Sequence, residues 1–317
     1  MSGADRDLHK NPGHGGVMKF SEQATVFSCS ADQLVAVISC PQQPSPRGVL
    51  VVVGGPQYRA GSHRQFTLLC HALAEQGITA MRFDYRGMGD SQGEARNFED
   101  IRPDILAAVE AFCVKVPELR EIVIWGLCDA ASAALMCAHQ DERIRGLVLL
   151  NPWVRTVGGL AKAQIKHYYG ARLMDRAFWR KVVKGEFAYA AAFRSLASAV
   201  MLALGSGRAR DAVNTADAMS AGGNSGDASD SGATAPLPER MADGLSRFKG
   251  KVLLILSGKD ITAQEFEDVA QASKRWSRLL ADARVERRKL AEANHTFSTR
   301  AYRDQVAAWT AEWVQSW

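Results

Sequence analysis

The 317-residue chain lacks any uninterrupted apolar stretch of the roughly 18 residues or more that a membrane-crossing helix requires, so no transmembrane helix is expected. Its N-terminal segment, Met1 to Val17, has no apolar core; it is polar and rich in Gly, His and charge, unlike a secretory signal, and the expected location is cytoplasmic. The six cysteines, Cys29, Cys40, Cys70, Cys113, Cys128 and Cys137, contain no CxxC pair and no zinc-type spacing. Neither a structural metal nor a cofactor site is expected, and most of these thiols read as small buried hydrophobes of a reducing compartment. A concentrated excess of charge is also missing. The net +5 is spread among acidic residues apart from local clusters such as Arg284 to Lys289, which argues against a nucleic-acid partner. Aromatic residues are absent from 204–238, a run of Ala, Gly, Ser and Asp that buries too little surface to order itself.

What is present is a 47% hydrophobic content arranged in alternating short apolar runs and helical patterns. Thr25 to Ser39 alternates apolar and polar residues as an edge hairpin does, and the proline-rich Pro41 to Pro46 ends it. Gly48 to Val53 is a continuous valine-rich run, the pattern of a parallel strand buried on both faces. A helix over Arg64 to Gln76, a strand over Ile78 to Phe83, a helix near Asp100 to Val114 and a strand over Glu121 to Trp125 follow, then a helix over Ala130 to His139 and a strand over Ile144 to Leu150. This alternation predicts a mostly parallel, doubly wound α/β sheet. It stops at Asn151-Pro152-Trp153. It resumes with a strand at Lys251 to Leu256, a helix from about Thr262 to Leu280, a strand near Ala283 to Leu290 and a final helix from Thr299 to Trp317. The expected organisation is a tail over 1–19, a core over 20–151 and 241–317, and a helical cap insertion over 152–240 that includes the linker near 204–238. There is no internal repeat.

The chemistry centres on Cys128. Glu121 to Trp125 is a buried strand, Gly126-Leu127-Cys128-Asp129-Ala130-Ala131 a sharp turn between small residues, and the alanine-rich stretch beyond it a helix. A nucleophile elbow needs small residues on both sides, because its central residue takes a strained backbone conformation between strand and helix. Asp260, in Ser257-Gly258-Lys259-Asp260, and His295, in Asn294-His295-Thr296, follow the last two core strands. Nucleophile, acid and histidine thus fall at three strand ends in chain order. His295 would take the Cys128 proton, Asp260 would fix the imidazole and stabilise its charged form, and the helix starting at Asp129 would favour the thiolate. The Asp129 N–H is the first expected oxyanion donor. The loop Gly54-Gly55-Pro56-Gln57-Tyr58-Arg59 would supply a second, but Pro56 has no N–H, so Gln57 is expected to serve, with Tyr58 as the alternative. Tyr58, Arg59 and Trp153 are candidate substrate contacts. Tyr168, Tyr169 and Trp179 read as the cap's own core, and the loop Asp84 to Ser91 as structural.

The elbow, the Asp84-Tyr85-Arg86-Gly87-Met88-Gly89-Asp90-Ser91 loop and the ordered triad together resemble the α/β-hydrolase superfamily over roughly residues 20 to 317. More narrowly, the run from Gly54 to Phe66 with Gly126 to Ala131 resembles the first type of exosortase A system-associated hydrolase, bacterial proteins encoded beside exopolysaccharide and protein-sorting machinery. The resemblance implies an α/β-hydrolase fold with a cap and association with that machinery, and its Cys, Asp and His correspond to Cys128, Asp260 and His295. The pairing of Cys with His and Asp is also similar to dienelactone hydrolases. The expected activity is acyl transfer from an ester or thioester, on a small-molecule or saccharide substrate, ending on water or on a saccharide hydroxyl. Two readings stand beside it: a non-catalytic binding protein of the same shape, and a thiol redox sensor.

Overall fold

The computed structural model describes residues 20–154 and 235–317. The expectations placed on the tail, on Tyr168, Tyr169 and Trp179, and on most of the cap and linker therefore lie outside the described residues.

Eight strands form one sheet in the order β1-β2-β4-β3-β5-β6-β7-β8. β1 (Phe20–Cys29) and β2 (Asp32–Pro41) make an antiparallel hairpin, and β2 pairs antiparallel with β4 (Ala80–Phe83). From β4 onward the pairing is parallel, through β3 (Arg47–Val52), β5 (Glu121–Leu127), β6 (Ile144–Leu150), β7 (Lys251–Ser257) and β8 (Val285–Leu290). The hairpin runs five residues earlier and two residues later than its alternation predicts, up to Pro41, where the missing N–H ends the ladder.

The central strands are predominantly hydrophobic because each has helices on both sides. In β3, Val49, Val51 and the following Val53 pack on one side with Phe66, Leu69 and Leu73 of α1 (Gln65–Glu75) and with Val306 and Trp313 of α7 (Arg300–Gln315). Leu50 and Val52 face the other layer, with Ile105, Val109 and Phe112 of α2 (Arg102–Lys115) and with α3 (Asp129–Cys137), α4 (Leu237–Arg247) and α5 (Ile261–Ala272). The long helix expected from Thr262 to Leu280 is two. Ser273 adopts extended angles (φ −108°, ψ 118°) and its hydroxyl accepts the Trp276 N–H, starting α6 (Lys274–Leu280) in a new direction. That turn seats Trp276 against Phe266, with ring centroids 5.3 Å apart.

The chain steps from β3 to β4 on one side and then back across β3 to β5. Such a reversal opens a crevice at the carboxyl ends of β3 and β5. The loop after β3 and the turn after β5 flank it.

Candidate active site

Cys128 stands between the end of β5 and the start of α3 with φ 62° and ψ −124°, a conformation costly for any residue with a side chain. The surroundings hold it there. Its N–H donates to the Leu150 carbonyl at 2.9 Å, and its own carbonyl accepts the Ala131 N–H at 3.1 Å and the Trp153 N–H at 3.2 Å. A Cβ on Gly126 would come within 2.8 Å of the Ala130 carbonyl carbon and the Ala131 nitrogen, so the turn is closed to larger residues. α3 begins directly behind the thiol and aims the positive end of its dipole at it.

His295 faces the same cleft from the loop after β8. Its Nδ1 lies 2.9 Å from Asp260 Oδ2, which leaves Nε2 for Cys128. Asp260 is 9% exposed and has a second task. As the residue capping α5, it accepts the N–H groups of Thr262 (3.3 Å) and Ala263 (3.1 Å), so the helix start holds the carboxylate that holds the imidazole. Burial pushes the Asp260 carboxyl up, but the bonds from His295 and the two amides outweigh it and leave it below its ordinary value. The hydrogen bonds to Asp260 and then to Cys128 push His295 up to about 10 against the opposing effect of burial. Both bonds favour the charged form of the imidazole, the form a thiolate–imidazolium pair requires.

A cleft of about 410 Å³ is lined by Cys128, Asp129, Gln57, Trp153 and His295, together with Gly54, Gly55, Pro56, Leu127, Phe66 and Phe98. Of the candidate substrate contacts, Tyr58 and Arg59 are not among its lining residues. Tyr58 is 52% exposed at the surface. Arg59 forms ion pairs with Asp84 and, at 2.7 Å, with Asp90, and its backbone N–H also donates to Asp84. Its guanidinium thus joins the loop after β3 to the loop after β4. The loop after β4 is tied down further by Arg86, which makes a buried two-pronged pair with Asp104 at 2.8 and 2.9 Å.

The expected second oxyanion donor is also engaged elsewhere. The Gln57 N–H donates to the Gly55 carbonyl at 2.8 Å, and its side-chain oxygen receives the Ser62 N–H and the Gln65 amide. The Gly55 N–H is taken by the Asp129 carboxylate, at 2.9 and 3.0 Å. Sequence reasoning used Asp129 for its backbone alone, whereas its side chain also clamps the loop after β3 to the start of α3. Burial pushes that carboxyl up despite the amide bonds from Gly55 and Ala130. Gly54 makes the approach possible, since a Cβ there would sit 2.3 Å from Asp129 Oδ1. Phe66 and Phe98, which add apolar walls, carried no sequence signal for the cleft. Asn151 carried a faint one, a polar residue before proline at a strand's end; it is fully buried and bonded to the His295 loop.

A strained residue at a strand-to-helix turn, a histidine–carboxylate pair on the last two strand ends and a crevice at the sheet's reversal all match one architecture. The chain is an α/β-hydrolase by fold. Residues 44–201 match the family model described as serine aminopeptidase, S33, although the elbow here carries Cys128. Among solved structures, an esterase of Pyrococcus furiosus is similar with a TM-score of 0.60 and 14% identity, covering 95% of this chain and 94% of its own. A dienelactone hydrolase of Anabaena variabilis is similar with a TM-score of 0.54 and 14% identity, covering 93% and 97%. At these identities the likeness is one of fold. Among curated proteins, a polyketide transferase of Penicillium sp is 32% identical over 94 residues, or 28% of this chain and 32% of the relative. A thiohydrolase of Arthrinium phaeospermum is 32% identical over 120 residues, or 35% and 38%. The match thus spans only about a third of each curated relative's length.

Proposed function

We propose that this α/β-hydrolase is an acyl-transfer enzyme that opens esters or thioesters through a thioester on Cys128. The observation that carries the reading is the 2.9 Å contact of His295 Nδ1 with Asp260, on a histidine that shares its cleft with the strained Cys128. His295 Nε2 takes the Sγ proton, and the thiolate attacks the acyl carbon. As the tetrahedral intermediate collapses, the bond to the leaving oxygen or sulfur breaks and His295 returns the proton to it. Water or an acceptor hydroxyl, deprotonated by His295, then attacks the thioester and releases Cys128. The Asp129 N–H is one oxyanion donor in this scheme. Gln57 would have to give up its bond to Gly55 to be the second.

The curated relatives include both a transferase and a thiohydrolase, which favours activated acyl substrates and keeps transfer to an acceptor, a saccharide hydroxyl among them, beside hydrolysis. We extend the proposal to a cytoplasmic role beside exosortase and exopolysaccharide machinery, on the resemblance of the Gly54–Phe66 and Gly126–Ala131 runs. The test is intact-protein mass spectrometry after exposure to p-nitrophenyl acyl esters, for wild type, Cys128→Ala and His295→Ala. An acyl adduct on wild type that depends on both residues and turns over is the expected result. No adduct and no turnover across short and long acyl chains would replace this reading with that of a binding protein.

A further inference from the structure

Asn151 ends β6 in a left-handed conformation (φ 43°) and is fully buried. A primary amide in such a place must satisfy two donors and one acceptor. Its Nδ2 donates to the His295 carbonyl at 2.9 Å and to Ser257 Oγ at 2.8 Å, and its Oδ1 accepts the Ser257 N–H at 2.9 Å. Its backbone N–H donates to the Ile255 carbonyl at 3.2 Å. One side chain thus fastens the ends of β6 and β7 to the backbone of the histidine itself. Two residues on, Trp153 donates its N–H to the Cys128 carbonyl at 3.2 Å, and its carbonyl accepts the Ser132 hydroxyl at 2.6 Å. The segment 151–153 therefore grips His295 at one end and the elbow at the other.

We infer that Asn151 is a positioning residue that sets the separation of His295 from Cys128, with Trp153 anchoring the other end of the strap. This rests on the proposed Cys128–His295 pair. Other side chains fit the post poorly. Aspartate has the shape but, ionised, has no N–H for the His295 carbonyl. Leucine fills the space and leaves that carbonyl and the Ser257 N–H without partners.

The test is the rate of Cys128 alkylation by iodoacetamide against pH, read by peptide mass spectrometry. The peptide carrying Cys128 reports its alkylation separately from that of Cys40, the other partly buried thiol whose reactivity burial does not suppress, while burial raises Cys29, Cys70, Cys113 and Cys137. The first variant is Asn151→Gly, which keeps the positive φ without steric cost and removes the clamp. The second is Asn151→Asp. With the clamp lost, the inflection should move toward higher pH, and the rate at pH 6.5 should fall at least about tenfold. A merely structural role would lower the melting temperature and leave the inflection in place. An unmoved profile in either folded variant overturns the inference. A wild-type profile already like that of a free thiol and indifferent to His295→Ala removes the pair itself, and with it both readings.

Discussion

Replacing Asp260 by asparagine should change how the stability of the fold depends on pH, and the structure sets the size of the change. Asparagine can still cap α5, so the helix start is largely preserved. What is lost is the charge 2.9 Å from His295 Nδ1. The imidazole rises from an ordinary 6.5 to about 10, which by proton linkage sets a ceiling of about 5 kcal/mol. Cys128 supplies part of that rise, and the His295 side chain is 36% exposed, so solvent screening reduces it further. The Asp260 share should be on the order of 2 kcal/mol. The sign follows from the direction of the shift. A histidine whose folded value lies above its unfolded one stabilises the fold fully below about 6.5 and ceases to do so as pH climbs through about 10. The unfolding free energy of the wild type from urea titration should therefore fall between pH 6 and pH 10, and that of Asp260→Asn should fall by about 2 kcal/mol less. Taking the difference of differences cancels the lysines and other groups that titrate in the same window. Parallel curves for the two proteins would refute the coupling, and with it the basis for a charged imidazole.

Two further substitutions test the scaffold around the cleft. Arg59→Ala removes the guanidinium from Asp84, whose side chain is fully buried, leaving that carboxylate its bonds to the Arg59 and Asp90 amides. The expected loss is about 2–3 kcal/mol in urea denaturation with KM little changed, whereas a substrate-binding Arg59 would raise KM and spare stability. Gly258→Ala would drive a Cβ to 2.0 Å from the Ala291 carbonyl oxygen, where only backbone can yield. The loop carrying His295 is tied to this turn by the 2.9 Å Lys259 N–H to Ala293 bond, so a melting temperature lower by roughly 5–10 °C should come with slower Cys128 alkylation.

The sheet was legible in the sequence because strands buried on both faces have to be written in unbroken apolar runs, as Gly48 to Val53 and Gly146 to Leu150 are. The elbow was legible because its geometry admits only small neighbours, and Cys128, Asp260 and His295 because strand ends converge wherever a parallel sheet is wound. Pattern failed where a single side chain decided the outcome. Ser273 splits a periodic helix with one hydroxyl, and Arg59, read as a candidate substrate contact, is paired with carboxylates from a loop 25 residues later. The same holds for the contacts that fix the cleft. Asp129 reaches Gly55 across 74 residues and Asn151 reaches His295 across 144, each joining a side chain to another loop's backbone. Such bonds ask nothing of the partner's residue type, so they leave no mark at the partner's position. Strand-end placement brings the thiol, the imidazole and the carboxylate into one neighbourhood to within several ångströms. The remaining distance, over which a proton transfer succeeds or fails, is set by buried amides and carboxylates aimed at N–H and C=O groups. It follows that the residues controlling Cys128 reactivity should be found by tracing what grips the backbone of positions 55, 128 and 295.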